Sequence, residues 1–171
     1  FYNAIKIALC TATVLILFYS EQNTTLVFFM TLGIMLSSSS DINGNFKDKV
    51  VSLTLAAIAI PVITITLTLL YSQTALFLFT FAFLAFFSSI ISLYGQRATQ
   101  LSFTLILSIC LSFIHVYNAN DVFSNAFYMF LGGAFYLCVS VFFYLIMPSR
   151  YINIEMAESM AQVSQYLRLR A

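Results

Sequence analysis

The chain has 171 residues, of which 61% are hydrophobic and only 8% charged, with a mean hydropathy of +0.97. Soluble domains carry about 25% charged residues, and a soluble fold of this length has too little interior for so much apolar surface, so the composition excludes a soluble domain and implies one solvated by lipid. The formal net charge of +1 comes without a basic patch interleaved with aromatics, so no nucleic-acid partner is expected.

The first predicted helix runs from about Phe1 to Tyr19, with Lys6 near its inner end, where its long stem can snorkel to the headgroups. The chain begins with Phe rather than Met and reads as a piece of a longer protein. No cleavable signal peptide is expected, because the first apolar run leads straight into more membrane sequence. Ser20-Glu21-Gln22-Asn23 reads as a tight outer turn. The second helix, about Thr24 to Ser38, spans only ~23 Å at the usual rise per residue and ends in Ser37-Ser38-Ser39-Ser40-Asp41.

Asp41 to Lys49 is the most polar loop, with Asn43-Gly44 as a turn signal and Lys47-Asp48-Lys49 where the next helix enters the membrane. That third helix, about Val50 to Leu70, carries Pro61 near its middle, where a kink is predicted. The alternation Ile63-Thr64-Ile65-Thr66-Leu67-Thr68 resembles a strand, but an open strand in lipid leaves its backbone unpaired. A helix is therefore predicted through it.

Tyr71-Ser72-Gln73 forms a second outer turn, followed by a fourth helix from Thr74 to about Leu93. Its many Phe residues, Phe77 to Phe87, surround the helix and read as lipid contact and packing rather than an aromatic pocket. The corner Leu93-Tyr94-Gly95-Gln96-Arg97-Ala98 organises the chain. Gly95 can take the geometry of a reversal, and Arg97 is not easily drawn into hydrocarbon. A fifth helix runs to about Tyr117, and Asn118-Ala119-Asn120-Asp121 forms the third outer loop. The sixth helix, about Val122 to Met147, contains Gly132-Gly133, which reads as a close helix crossing or hinge, and is closed by Pro148.

In this arrangement Lys6, Lys47, Lys49, Arg97, Arg150, Arg168 and Arg170 all fall on one side, and the opposite turns hold Glu21 and Asp121 but no Lys or Arg. Cytoplasmic loops accumulate Lys and Arg, so both ends of the segment are expected in the cytoplasm. The expected architecture is an all-α integral membrane domain over residues 1–148, a bundle of six transmembrane helices in three antiparallel hairpins. Residues 149–171 begin a cytoplasmic helical domain. There Ile152, Met156, Met160, Val163 and Leu167 form one apolar face, Asn153 is the N-cap, and Glu155 and Arg168 suit the helix dipole.

Cys10, Cys110 and Cys138 lie within apolar runs without metal-ligand spacing and read as small hydrophobes. No metal or cofactor is expected. Enzyme signatures are absent: there is no phosphate loop, no His-Glu-x-x-His and no nucleophile elbow. No carboxylate is expected deep in any span, which leaves a proton relay inside the bundle without support.

The sharpest pattern lies on the fifth helix. Arg97, Gln100, Thr104, Ser108, Ser112 and His115 follow at intervals of 3, 4, 4, 4 and 3 as one polar stripe from end to end. One reading makes it the wall of an anion path, with Arg97 as electrostatic handle, Gln96 or Gln100 as second donor and the hydroxyls as further donors. The other makes it a packing seam of small residues. His115 is the only His, either a proton sensor or a solvated interfacial residue. Thr54, Ala57, Pro61, Thr64 and Thr68 on the third helix, with Ala82, Ala85, Ser89 and Ser92 on the fourth, are predicted to face it.

Three places together carry a family likeness. The Leu93-Tyr94-Gly95-Gln96-Arg97-Ala98 corner, the loop Ser40-Asp41-Ile42-Asn43-Gly44, and the tail from Glu155 to Leu169 with Ala161 and Tyr166-Leu167-Arg168 resemble the fusaric-acid-resistance (FUSC) superfamily, in its YccS/YhfK-like bacterial inner-membrane branch. The resemblance implies a larger inner-membrane protein that exports aromatic or other organic carboxylates. It further implies a homodimer and, for an efflux system, a periplasmic adaptor. A different class of function stays open: a non-transporting membrane anchor or assembly module for a cytoplasmic domain.

Overall fold

The computed structural model describes residues 2–18, 24–41, 46–114, 121–146 and 160. Among the described residues six α-helices follow one another: α1 (Tyr2–Phe18), α2 (Thr24–Ser38), α3 (Phe46–Leu70), α4 (Thr74–Ile91), α5 (Gln96–Ile114) and α6 (Val122–Ile146), with a 3₁₀ turn at Ser92–Tyr94 before α5. All regular structure among the described residues is helical. The predicted turns at residues 20–23 and 43–44 lie outside the described residues, as do residues 115–120, Pro148 and, apart from Met160, the tail helix.

Among the described residues three helical stretches are long and apolar enough to cross a bilayer: Phe46–Leu70, Thr74–Tyr94 and Val122–Ile146. The segments Asn3–Phe18, Thr24–Ser38 and Ala98–Ser112 are apolar but shorter. The strand-like Thr alternation on α3 is helical, and each of its hydroxyls has a partner one turn back. Thr64 donates to Ile60 O at 3.0 Å, Thr66 to Val62 O at 2.7 Å and Thr68 to Thr64 O at 2.7 Å. A hydroxyl bonded in this way adds no unsatisfied polar group to an apolar face.

α3 is the central helix. It supplies Leu53 to a cluster with Cys10, Val14, Met30, Ile34 and Tyr136, then Ala56 and Ile60 to one with Phe29, Leu36 and Met129. Ile63 and Leu67 pack with Phe77, Leu105 and Ile109 in a third. Pro61 is buried within an unbroken α3. The polar residues at 47–49, expected before the helix, form its first turn instead.

The tightest crossing is between α2 and α6, and it is reciprocal. A Cβ added to Gly33 on α2 would run into the backbone carbonyl of Met129, and one added to Gly132 on α6 would run into that of Met30. At Gly133 it would lie 2.8 Å from Ser37 Oγ and 3.1 Å from the Ala57 Cβ. α6 continues unbroken through both glycines, which sit at the close crossing expected of them. Gly33 has no glycine neighbour in sequence and was not singled out as its partner.

α4 lies at the edge, burying only Phe77 and Ser88. Of the face predicted to meet α5, Ala82 and Ser89 are exposed, Ala85 and Ser92 are half-buried, and Ser92 O accepts from Thr99 of α5. Phe79, Phe83, Phe86 and Phe87 form an exposed aromatic surface. The reversal into α5 uses Gly95 at φ 109°, a conformation other residues rarely adopt. Thr99 caps the corner, its backbone N–H on Gly95 O at 2.9 Å and its hydroxyl on Ser92 O at 3.1 Å. Cys10 is in the core, whereas Cys110 and Cys138 are exposed, and all three are free thiols.

Gly33→Ala and Gly132→Ala are each expected to lower stability by about 1–3 kcal/mol through overpacking of a backbone contact. Thermal unfolding of the detergent-solubilised variants measures it.

Candidate functional site

The last turn of α2 tightens through three successive i→i+3 hydrogen bonds: Ser39 N–H to Leu36 O, Ser40 N–H to Ser37 O and Asp41 N–H to Ser38 O, at 3.1–3.2 Å. This brings Asp41 inward just past the helix end. Its carboxylate meets Lys49 Nζ at 2.8 Å on Oδ1 and Lys6 Nζ at 3.2 Å on Oδ2. Oδ2 also accepts hydrogen bonds from the Tyr136 hydroxyl at 2.9 Å and from Ser140 Oγ at 3.1 Å. The start of α1, the end of α2, the start of α3 and the C-terminal half of α6 thus meet on one carboxylate.

Lys6, Asp41 and Lys49 are 1%, 7% and 2% exposed. Two sequence expectations fail here. Lys6 does not snorkel outward, and Lys49 does not stay at the surface. The carboxylate absent from every predicted span reaches the interior from the end of α2. Burial pushes the Asp41 carboxyl up, but the Lys49 and Lys6 ammoniums, with the hydrogen bonds from Lys49 and Tyr136, outweigh that and hold it below the ordinary carboxylate range.

The cluster continues into a polar seam. Ser40 Oγ lies 2.9 Å from Thr104 Oγ1 on α5, and Ser52 Oγ on α3 donates to Ser40 O at 3.2 Å. Thr104 also donates to Gln100 O at 3.0 Å. Two turns on, Ser112 Oγ donates to Ser108 O at 2.9 Å and approaches Thr64 Oγ1 on α3 at 3.4 Å. Thr104 and Ser108 are buried, and Gln100 and Ser112 half-buried. The structure therefore places Gln100, Thr104, Ser108 and Ser112 on one inward-facing side of α5, against α2 and α3. Gln96 and Arg97 lie in the first turn of α5, but their side chains are outside the described residues, as is His115. On α3, Ala57, Pro61 and Thr64 are buried, whereas Thr54 points outward.

Three buried oxygens of the seam, Ser37 Oγ, Gln100 Oε1 and Ser108 Oγ, have no hydrogen-bond partner among the described residues. Among the described residues no group of His, Cys, Asp and Glu could hold a metal ion. The seam was visible in the periodicity of α5. Its junction with the Asp41 cluster was not, because Lys6, Asp41 and Lys49 are distant in sequence and each has an unremarkable surface reading by itself.

Removing one member of a buried, hydrogen-bonded ion pair costs about 3–5 kcal/mol, so Asp41→Ala is expected to destabilise the protein by that amount in chemical unfolding. A carboxyl held below its unfolded value stabilises the fold above the ordinary carboxylate range, and this contribution is lost as pH falls through the depressed value. An acid unfolding titration is expected to show that loss in the wild-type chain and not in Asp41→Ala.

A family model described as FUSC-like inner membrane protein yccS matches residues 51–171. The match takes in the Gly95–Arg97 corner, the whole of α5, and Tyr136 and Ser140, and it begins just after Lys49. Searches of curated proteins and of solved structures found no match. With its apolar helices and a family match over most of its length, this chain belongs to the FUSC-like family of bacterial inner-membrane proteins.

Proposed function

We propose that the protein carries organic carboxylate anions, aromatic ones among them, across the inner membrane, along the polar side of α5. Membership of the FUSC-like family supports a membrane transporter-type function. The observation that carries the reading is the α5 stripe itself, on which the buried Gln100 Oε1 and Ser108 Oγ have no hydrogen-bond partner among the described residues. A buried polar group left unpaired costs about 1–3 kcal/mol, so stability alone gives no reason to keep them. A passing carboxylate that trades its hydration shell for wall groups needs donors, which the Ser108 hydroxyl and the Gln100 side-chain amide NH2 can supply, whereas Gln100 Oε1 only accepts.

In this reading the chain crosses the bilayer six times, with residues 1–148 as the membrane domain and 149–171 opening a cytoplasmic one. The one-sided distribution of Lys and Arg supports cytoplasmic ends. Arg97 and Gln96 stand at the inner mouth and attract the anion, Gln100, Thr104, Ser108 and Ser112 line the way, and His115 lies at the outer end. A homodimer, and an adaptor for efflux, follow from the family likeness.

A specific observation favours the competing reading, a membrane anchor for the cytoplasmic part. Thr104 and Ser112 donate to carbonyls of their own helix and tie α5 to α2 and α3, as packing hydroxyls do.

Uptake of labelled benzoate into proteoliposomes separates the two. Transport predicts wild-type uptake, with Ser108→Leu and Arg97→Ala each reducing it about tenfold, an effect of about 1.4 kcal/mol on the barrier. Uptake unchanged in both variants favours the anchor.

A further inference from the structure

Four donors on three helices point at one carboxylate: the Lys6 ammonium on α1, the Lys49 ammonium on α3, and the Tyr136 and Ser140 hydroxyls on α6. Such a set of charge-assisted donors on rigid helices is how a protein recognises a carboxylate. Its present occupant belongs to the chain and is the one member outside a helix. Asp41 hangs from the end of α2 by i→i+3 turn bonds, while each donor sits within regular α-helix.

We infer that this cluster is a receptor for the carboxylate group of a small organic anion, and that Asp41 is its built-in occupant, which the ligand displaces. The ligand class rests on the transport reading above. Exchange of one carboxylate for another leaves the buried charge unchanged, so the two ammoniums are never left bare, which is the expensive state of a buried ion cluster. The exchange also reaches the path. Ser40, next to Asp41, lies 2.9 Å from Thr104 Oγ1, so the segment that carries Asp41 is in direct contact with the α5 stripe. Asp41 thereby acts as a tethered occupant that the anion displaces. As a tethered competitor it acts at an effective concentration of about millimolar or more, so its removal strengthens binding of a free carboxylate.

The test is thermal unfolding of the purified full chain in detergent, titrated with sodium benzoate, sodium acetate or sodium chloride at constant ionic strength. Benzoate and acetate are expected to raise the melting temperature of the wild-type chain saturably, and chloride to leave it unchanged. Asp41→Asn is expected to lower the half-effect concentration of benzoate about tenfold, and Lys49→Met to abolish the shift. An equal response of Asp41→Asn and wild type, a shift retained by Lys49→Met, or one reproduced by chloride overturns the inference. If Asp41→Asn does not fold, wild type against Lys49→Met decides: a benzoate shift must be present in the first and absent in the second. Benzoate uptake into proteoliposomes distinguishes this inference from transport itself. Stabilisation without uptake keeps the receptor and removes transport, whereas uptake without stabilisation removes the receptor and leaves transport standing.

Discussion

A carboxylate removed from water must be compensated where it lies, and in this protein four helices close around that requirement. Asp41 is reached by an ammonium from α1, an ammonium from α3 and two hydroxyls from α6. In a medium of low dielectric such contacts are strong when complete and costly when broken. They specify which ends of the helices meet, something apolar packing does poorly, because one leucine-rich face is much like another. α1 in particular packs against few neighbours, and Lys6 is its main directional contact with the rest of the bundle.

The second constraint is steric. Gly33 and Gly132 let α2 and α6 approach until each backbone touches the other. In lipid, where apolar side chains gain little by leaving their solvent, close packing of small residues is a principal source of helix association. The α2–α6 contact holds Tyr136 and Ser140 in line with the end of α2, so the glycines and the ion cluster support one another. α3 fills the space beside this pair, with Ser52 on the Ser40 carbonyl past the end of α2 and Thr64 toward Ser112 of α5. The polar side of α5 therefore meets Ser40 beside the charge cluster and Thr64 on α3, and it owes its burial to those neighbours.

Much of this was legible in the sequence because membrane chemistry writes in long, simple runs. Uncharged stretches mark the helices, and the boundaries of α2, α4 and α6 fall within about two residues of those expected. Gly95 was identified from its place between two apolar runs, and the α5 stripe from spacings of three and four. What could not be read were contacts between distant positions. Lys6 and Lys49 each look like an interfacial cation, and Asp41 looks like part of a polar loop, since nothing local reports that three such residues share one site. On α4 only part of the expected face is turned inward, with Ser88 buried and Ser89 exposed, because two adjacent serines leave the direction of a uniformly apolar helix undetermined. Gly33 was missed because a lone glycine in an apolar helix carries no signal until its partner on α6 is known.

The account depends on energetic coupling between Asp41 and the lysines that reach it. A double-mutant cycle between Asp41→Asn and Lys49→Met, read by reversible unfolding in detergent, measures that coupling directly. The structure predicts a coupling of about 2–3 kcal/mol, with the double variant far less damaged than the two single losses together imply. Additivity within about 0.5 kcal/mol would contradict it, placing Asp41 and Lys49 in separate environments and leaving the bundle without its central contact.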